Sequence, residues 1–293
     1  MTMSIDFLHE KIRKLKNPLI LDLSITEELL PSHLMEQEGS FAKAYPRFCS
    51  ELLEALSGVV PGVRFSFDTF ALLGADGLSQ LKSLLKRAGE LGFYTLLDGP
   101  QILSPWAADR AALLLTDDEY PSQGMLISPY IGSDAIRPFV PACAKGDKDL
   151  FIVVRSANKA ASELQDLLTG KRRVQGAAAE LVNRFGESIF TRCNYSRICA
   201  VSSAGSVDSL RNLRTQYKHM FILVDGLDYP SGNMKNCSLA FDRYGYGAAI
   251  SAGPTITAAW RDAEGATSEN YIDHALLAAE RLKKNLQRYV TIL

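Results

Sequence analysis

The chain has 293 residues, of which 47% are hydrophobic and 22% charged, with a formal net charge of −1. That balance describes an ordinary globular chain and gives no electrostatic case for binding nucleic acid or an anionic membrane surface. The length suits one domain over residues 1–293, because α/β barrels of this size fold as single units.

The N-terminal segment up to Pro18 reads as an amphipathic helix interrupted by charges. It lacks the uninterrupted apolar core of a signal peptide, and no segment holds the roughly eighteen apolar residues that span a bilayer, which together point to a cytoplasmic protein. Leu19–Leu23 is a short apolar strand carrying Asp22. Apolar residues at spacings of three and four mark a helix from Ser40 to Leu56, Pro61-Gly62 breaks the chain, and Val63–Phe67 forms a second strand with Arg64 embedded in it. An amphipathic helix over Ala75–Leu91 closes at Gly92 and leads into Tyr94–Leu97, a strand ending at Asp98-Gly99. After a Pro-containing turn a helix begins near Ser104, with Pro105 suited to its first turn.

The alternation continues. Met125–Ser128 is a fourth strand, followed by a helix capped by Ser133 or Asp134, and Asp149–Arg155 is a near-continuous apolar run of the kind parallel sheets bury. A polar connection over Ser156–Gln175 precedes a helix containing Ala177–Phe185. Arg197–Val201 is a sixth strand, Ser206–Gln216 a helix, Met220–Val224 a seventh strand, Gly247–Ile250 a weak eighth, and Asn270–Tyr289 a closing helix. Eight strands alternating with helices at this length predict a closed (β/α)8 TIM barrel with an N-terminal helix. No GxGxxG or GxxxxGK[ST] follows any strand, so no dinucleotide or P-loop cofactor is expected. The five cysteines, Cys49, Cys143, Cys193, Cys199 and Cys237, form no CxxC pair and read as buried or half-buried thiols.

In such a barrel, function collects at the C-terminal strand ends. In order these ends carry Asp22, Arg64 with Asp68, Asp98, Ser128, Arg155-Ser156-Asn158, Asp225 with Asp228, and Ser251. None of the four histidines falls there, so they read as surface residues and a histidine general base is not expected. Asp22, Arg64 and Asp98 form either a ligand site or a self-neutralising buried ion-pair cluster. Trp106 and Trp260 read as aromatic packing against the barrel, and Lys171-Arg172-Arg173 as a solvated charge run.

Several segments together resemble the longer bacterial branch of the orotidine 5'-phosphate decarboxylase family. They are Val60-Pro61-Gly62-Val63-Arg64, Ser128 to Asp134, Val154 to Asn158 with Glu163 to Leu167, Glu180 to Asn183, and Tyr244 to Gly247. The resemblance implies a barrel that forms a homodimer with its sites at the subunit interface and a pyrimidine-nucleotide ligand contacted by Ser128 and Ser156. It also implies that Asp22 contacts ribose and that Arg64 stands where the family has a lysine. The family's Asp-x-Lys-x-x-Asp motif reads Asp98-Gly99-Pro100-Gln101-Ile102-Leu103, so the proton-donating lysine and the acid serving the partner's site are both absent. Asp225-Gly226 stands at the family's Pro-Gly phosphate turn, Pro254 aligns with its phosphate arginine, and no Arg or Lys occurs between Tyr244 and Trp260.

Proline and leucine supply no proton or charge, and an arginine that keeps its proton at any working pH is a poor general acid. The expectation is a diverged relative that has lost decarboxylase activity and acts in binding or regulation. Two alternatives stand beside it. One is a working decarboxylase of pyrimidine (UMP) biosynthesis using other groups, such as Lys159. The other is altered chemistry on an unphosphorylated or cationic substrate. For the latter, Asp22, Asp98, Asp225 and Asp228 offer the oxygen donors Mg²⁺ prefers, but Arg64 in their midst argues against a metal and none is assigned.

Overall fold

The computed structural model describes residues 4–146, 148–262, 265 and 267–293; the first three residues of the expected leading helix fall outside these. Eight parallel strands close into a barrel: β1 (Leu19–Asp22), β2 (Gly62–Ser66), β3 (Tyr94–Asp98), β4 (Gly124–Ile127), β5 (Asp149–Arg155), β6 (Ile198–Ser203), β7 (Ile222–Asp225) and β8 (Ala248–Ala252). Each strand pairs with its sequence neighbours, and β8 closes on β1 with Leu19 opposite Ile250 and Leu21 opposite Ala252. Helices on the outside bury the second face of every strand, which is why the strands read as apolar runs rather than alternating patterns. Inside, Tyr94, Phe151 and Phe221 meet edge to face with ring centroids 6.4 Å apart at each step. Burying each phenylalanine this completely contributes about 2–3 kcal/mol.

The leading helix spans Ile5–Leu15 and buries Ile5, Leu8 and Ile12 at the N-terminal end of the barrel. Its Asp6 carboxylate accepts the backbone N–H groups of Arg192 (3.1 Å) and Cys193 (2.8 Å), which ties it to the loop before β6. Beside it, Asp149 is fully buried and accepts the Tyr94 hydroxyl at 2.9 Å and the Arg197 guanidinium at 3.3 Å.

Several element boundaries differ from the sequence expectation for identifiable reasons. β2 ends at Ser66 rather than Phe67, because the Ser66 hydroxyl accepts the Thr69 N–H (3.2 Å) and starts an extra helix, Phe67–Leu72. The helix at Ser133 runs only to Ile136 and has no side-chain cap; Ser133 instead accepts a hydrogen bond from Arg184 (2.8 Å). The polar connection after β5 holds a short 3-10 helix, Lys159–Glu163, and a hairpin pairing Leu168–Thr169 with Arg172–Arg173, and the next helix, Val174–Gly186, already starts inside it. β8 is longer than expected and fully buried. Trp106 does not pack against the barrel. It lies on the outer side of the first turn of helix Pro105–Thr116, 69% exposed, with the Arg110 guanidinium 5.6 Å from its ring centroid. Trp260 does pack against the core. Four of the cysteines are buried and Cys193 is half-buried. No described helix is long and apolar enough to cross a membrane.

Candidate functional site

β1, β2, β3, β7 and β8 bring Asp22, Arg64, Asp98, Asp225 and Ser251 together at the C-terminal mouth. The register makes this unavoidable, since Asp22 pairs with Arg64 across β1 and β2 while Asp98 and Asp225 are the last residues of β3 and β7. Arg64, 8% exposed, sits at the centre. One terminal nitrogen lies 3.1 Å from Asp22 and 3.2 Å from Asp225, and the other lies 2.5 Å from Asp98. Ser251 accepts from Arg64 (3.3 Å) and donates to Asp22 (3.2 Å), so it bridges the pair. The self-paired cluster is therefore formed.

One guanidinium facing three carboxylates leaves an excess of negative charge. Burial raises the Asp22 pKa above the ordinary carboxylate value; Arg64 opposes this and Asp225 adds to it. For Arg64, burial favours the neutral form, but Asp22, Asp225 and Asp98 outweigh it and hold the guanidinium charged. The remaining lone pairs of the acids are anchored locally: Asp22 accepts the Ser24 N–H (2.9 Å) and Asp225 the Gly226 N–H (2.8 Å). Arg64 Nε is buried without a hydrogen-bond partner among the described residues. A buried donor left unpaired costs about 1–3 kcal/mol, a penalty the three carboxylates on the terminal nitrogens offset.

A cavity of about 210 Å³ opens over this cluster, lined by Arg64, Asp98, Gln101, Ser128, Ser156 and Asp225 with apolar walls from Ile102, Ile127, Val153 and Val201. It is smaller than the ~300–1,000 Å³ usual for drug-sized ligands. Next to Asp225, Gly226 has a φ of +76° and the Ala157 methyl 2.2 Å from where a Cβ would stand, so only glycine lets the loop after β7 approach the loop after β5 this closely.

The remaining expected site residues lie elsewhere. Arg155 does not line the cavity, because the register of β5 against β6 shifts between Val153 and Arg155 and turns its side chain toward Asp166, which it grips through two nitrogens at 3.1 Å each. Asn158 is exposed and outside the cavity, where it accepts the Ser156 hydroxyl at 2.8 Å. Asp68 also lies outside it and meets Gln101 at 3.4 Å. Lys159 is exposed and lines no part of the cavity. Asp228 leaves the acidic cluster altogether: its two oxygens accept the N–H groups of Gly253 (2.9 Å) and Thr255 (2.7 Å), the first turn after β8. Gln165 stands in the sequence reading only within the resembling segment Glu163 to Leu167, with no role attached. It accepts the Ser156 N–H and donates to the Ser156 hydroxyl, each at 2.8 Å, and so orients a cavity residue from nine positions away. No described group of three or more His, Cys, Asp or Glu residues is arranged to hold a metal ion.

No family model matches the chain. An orotidine 5'-phosphate decarboxylase of Rhodopirellula baltica is 29% identical over 274 residues, 89% of this chain and 91% of that protein. One from Clostridium acetobutylicum is 26% identical over 288 residues, covering 98% and 99%. Among solved structures, Leishmania donovani UMP synthase superposes with a TM-score of 0.77 at 23% identity; 98% of this chain corresponds to 57% of that longer one. Plasmodium berghei orotidine 5'-monophosphate decarboxylase gives 0.74 at 12% identity, covering 96% and 99%. The chain is thus a relative of the bacterial orotidine 5'-phosphate decarboxylases and shares the barrel of that group.

Proposed function

We propose that this barrel binds a small planar ligand, pyrimidine-like in shape, over Arg64 without decarboxylating orotidine 5'-phosphate, and serves as a binding or regulatory relative of the decarboxylases in the reducing cytoplasm. The observation that carries this reading is the state of Arg64: among the described residues it is the only basic one lining the cavity, and three carboxylates already hold it. Decarboxylation leaves a carbanion that needs a proton, and neither Pro100 nor the 80%-exposed Leu103 has one to give. Where a phosphate dianion would need donors, the first turn after β8 has spent two N–H groups on Asp228. The cavity also fits a heterocycle better than a whole nucleotide.

The competing reading, a working decarboxylase, is favoured by the near full-length likeness to the Rhodopirellula and Clostridium enzymes. One assay decides between them. Purified chain is incubated with orotidine 5'-phosphate and carbon dioxide release is followed, with the same reaction on Arg64→Ala as reference. No release above the buffer rate is the expected result; release above it that falls in Arg64→Ala would establish the decarboxylase instead.

A further inference from the structure

The larger open cleft lies at the other mouth of the barrel. Its walls come from residues that precede strands: His9 on the leading helix, Tyr195 before β6, Lys218 and His219 before β7, and Phe241 to Tyr246 before β8. The cleft encloses about 750 Å³, within the range of small-molecule sites.

Two properties of the lining set it apart from a packing defect. The first is its aromatic content. The His9 ring stands 4.5 Å from that of Tyr246 and 6.2 Å from that of Tyr195, and burial, reinforced by Arg13, pushes the His9 pKa below its usual value, so at neutral pH the imidazole is an uncharged flat face. Tyr244 is 44% exposed and carries the Arg243 guanidinium on its ring at 4.6 Å.

The second property is an imbalance of charge. Arg214, Lys218 and Arg243 contribute three cations to the lining, and among the described residues Asp242 is its only side-chain carboxylate. Asp242 is fully engaged on the protein side, accepting the Tyr195 hydroxyl (2.7 Å) and the N–H groups of Tyr244 (2.8 Å) and Tyr246 (2.9 Å). Arg214 is held by three backbone carbonyls, those of Ala240 (2.7 Å), Lys218 (3.1 Å) and Gly247 (2.7 Å). These fix the guanidinium without neutralising it. The floor of the cleft therefore combines flat π surfaces with more positive than negative charge, Asp242 offsetting part of it at Arg214.

We infer that this N-terminal cleft is a second ligand site, taking a planar aromatic ring that bears an anionic group, with a nucleoside monophosphate as the fitting class. The ring packs among Tyr244, Tyr246 and His9, and the phosphate meets the exposed Lys218 and Arg243, the latter turning from the Tyr244 ring and hydroxyl that hold it. The arrangement uses no residue of the Arg64 cavity, so the two sites are separable by mutation.

The test is a calorimetric titration of the full chain with adenosine 5'-monophosphate, repeated with adenosine and with inorganic phosphate, while the His9 ring protons are followed by NMR. Binding of the monophosphate is expected to be tighter than that of either half, to shift the His9 signals, and to weaken by about tenfold in Arg243→Ala and in Tyr244→Ala. Both residues are exposed, so both variants are expected to fold. Asp98→Asn, at the opposite mouth, should leave the affinity unchanged. Absence of heat and of His9 shifts at about 5 mM ligand, weaker than ~3 kcal/mol of binding, would overturn the inference. So would binding that is lost in Asp98→Asn and kept in Arg243→Ala, or phosphate binding as tightly as the nucleotide.

Discussion

Replacing Arg64 by methionine tests the charge arrangement at the C-terminal mouth. Methionine fills a similar length of space but leaves Asp22, Asp98 and Asp225 facing one another without their shared counter-ion. Removing one partner from a buried ion pair costs about 3–5 kcal/mol, and because the three pairs share one cation the costs do not simply add. For a chain of this size each kcal/mol moves the unfolding midpoint by about 2–4 °C, so Arg64→Met should unfold about 6–20 °C lower at pH 8. The penalty should also depend on pH with a definite sign. Carboxyls that lose a cation and stay buried have folded pKa values raised above their unfolded ones, so the folded state binds protons more tightly. Stability is then present at low pH and lost as pH rises through those folded values. The wild-type chain shows the same direction at Asp22. Thermal unfolding of wild type and variant at pH 5 and pH 8 should therefore show a smaller gap at pH 5. A gap that is absent at pH 8, or equal at both values, would refute the idea that Arg64 is the neutraliser of this cluster.

Asp149 gives a second pH signature. Burial pushes its carboxyl from 3.8 up to about 7, so wild-type stability should decline as pH rises across that interval, and Asp149→Asn should flatten this part of the unfolding-midpoint profile. Asp228→Ala should cost about 1–2 kcal/mol in denaturant unfolding and speed amide exchange at Gly253 and Thr255, whose acceptor it removes. Leu72, Leu103, Trp106 and Tyr130 are large exposed apolar residues on segments that follow β2, β3 and β4, and we propose that a second copy of the chain covers them. Sedimentation should then show a dimer that Leu103→Glu shifts toward monomer, whereas a wild-type monomer at all concentrations would remove that proposal.

The barrel was legible because its strands are apolar runs separated by breakers, and all eight were found within about two residues. The least distinct was β8, whose Ala-Ala-Ile-Ser-Ala has little intrinsic β preference and becomes a strand through its partners on both sides. At the mouth, Asp22, Arg64, Asp98 and Asp225 were legible because a strand end has a fixed direction. Arg155 was not, since a register shift turns it onto Asp166, and sequence carries no mark of where two strands slip. Asp228 was placed in the right loop, but its role depends on a backbone turn more than twenty residues away. The contact of Gln165 with Ser156 was not legible, because a hydrogen bond across a nine-residue loop has no periodic signal.

The seam between β8 and β1 matters for how the chain is made. Leu19 emerges from the ribosome early, and its partner Ile250 follows about 230 residues later, which at 5–20 residues per second is a delay of about 10–50 s. Through that interval one edge of β1 has unpaired backbone groups flanked by leucine and isoleucine, an open template for another nascent chain. The helix Ile5–Leu15 is in the same position, since its buried face and Asp6 wait for the loop at Arg192 and Cys193. Vectorial synthesis thus leaves this helix and β1, made long before their partners, among the last elements to be protected, and the yield in a cell should respond to chaperone supply more than the final stability would suggest.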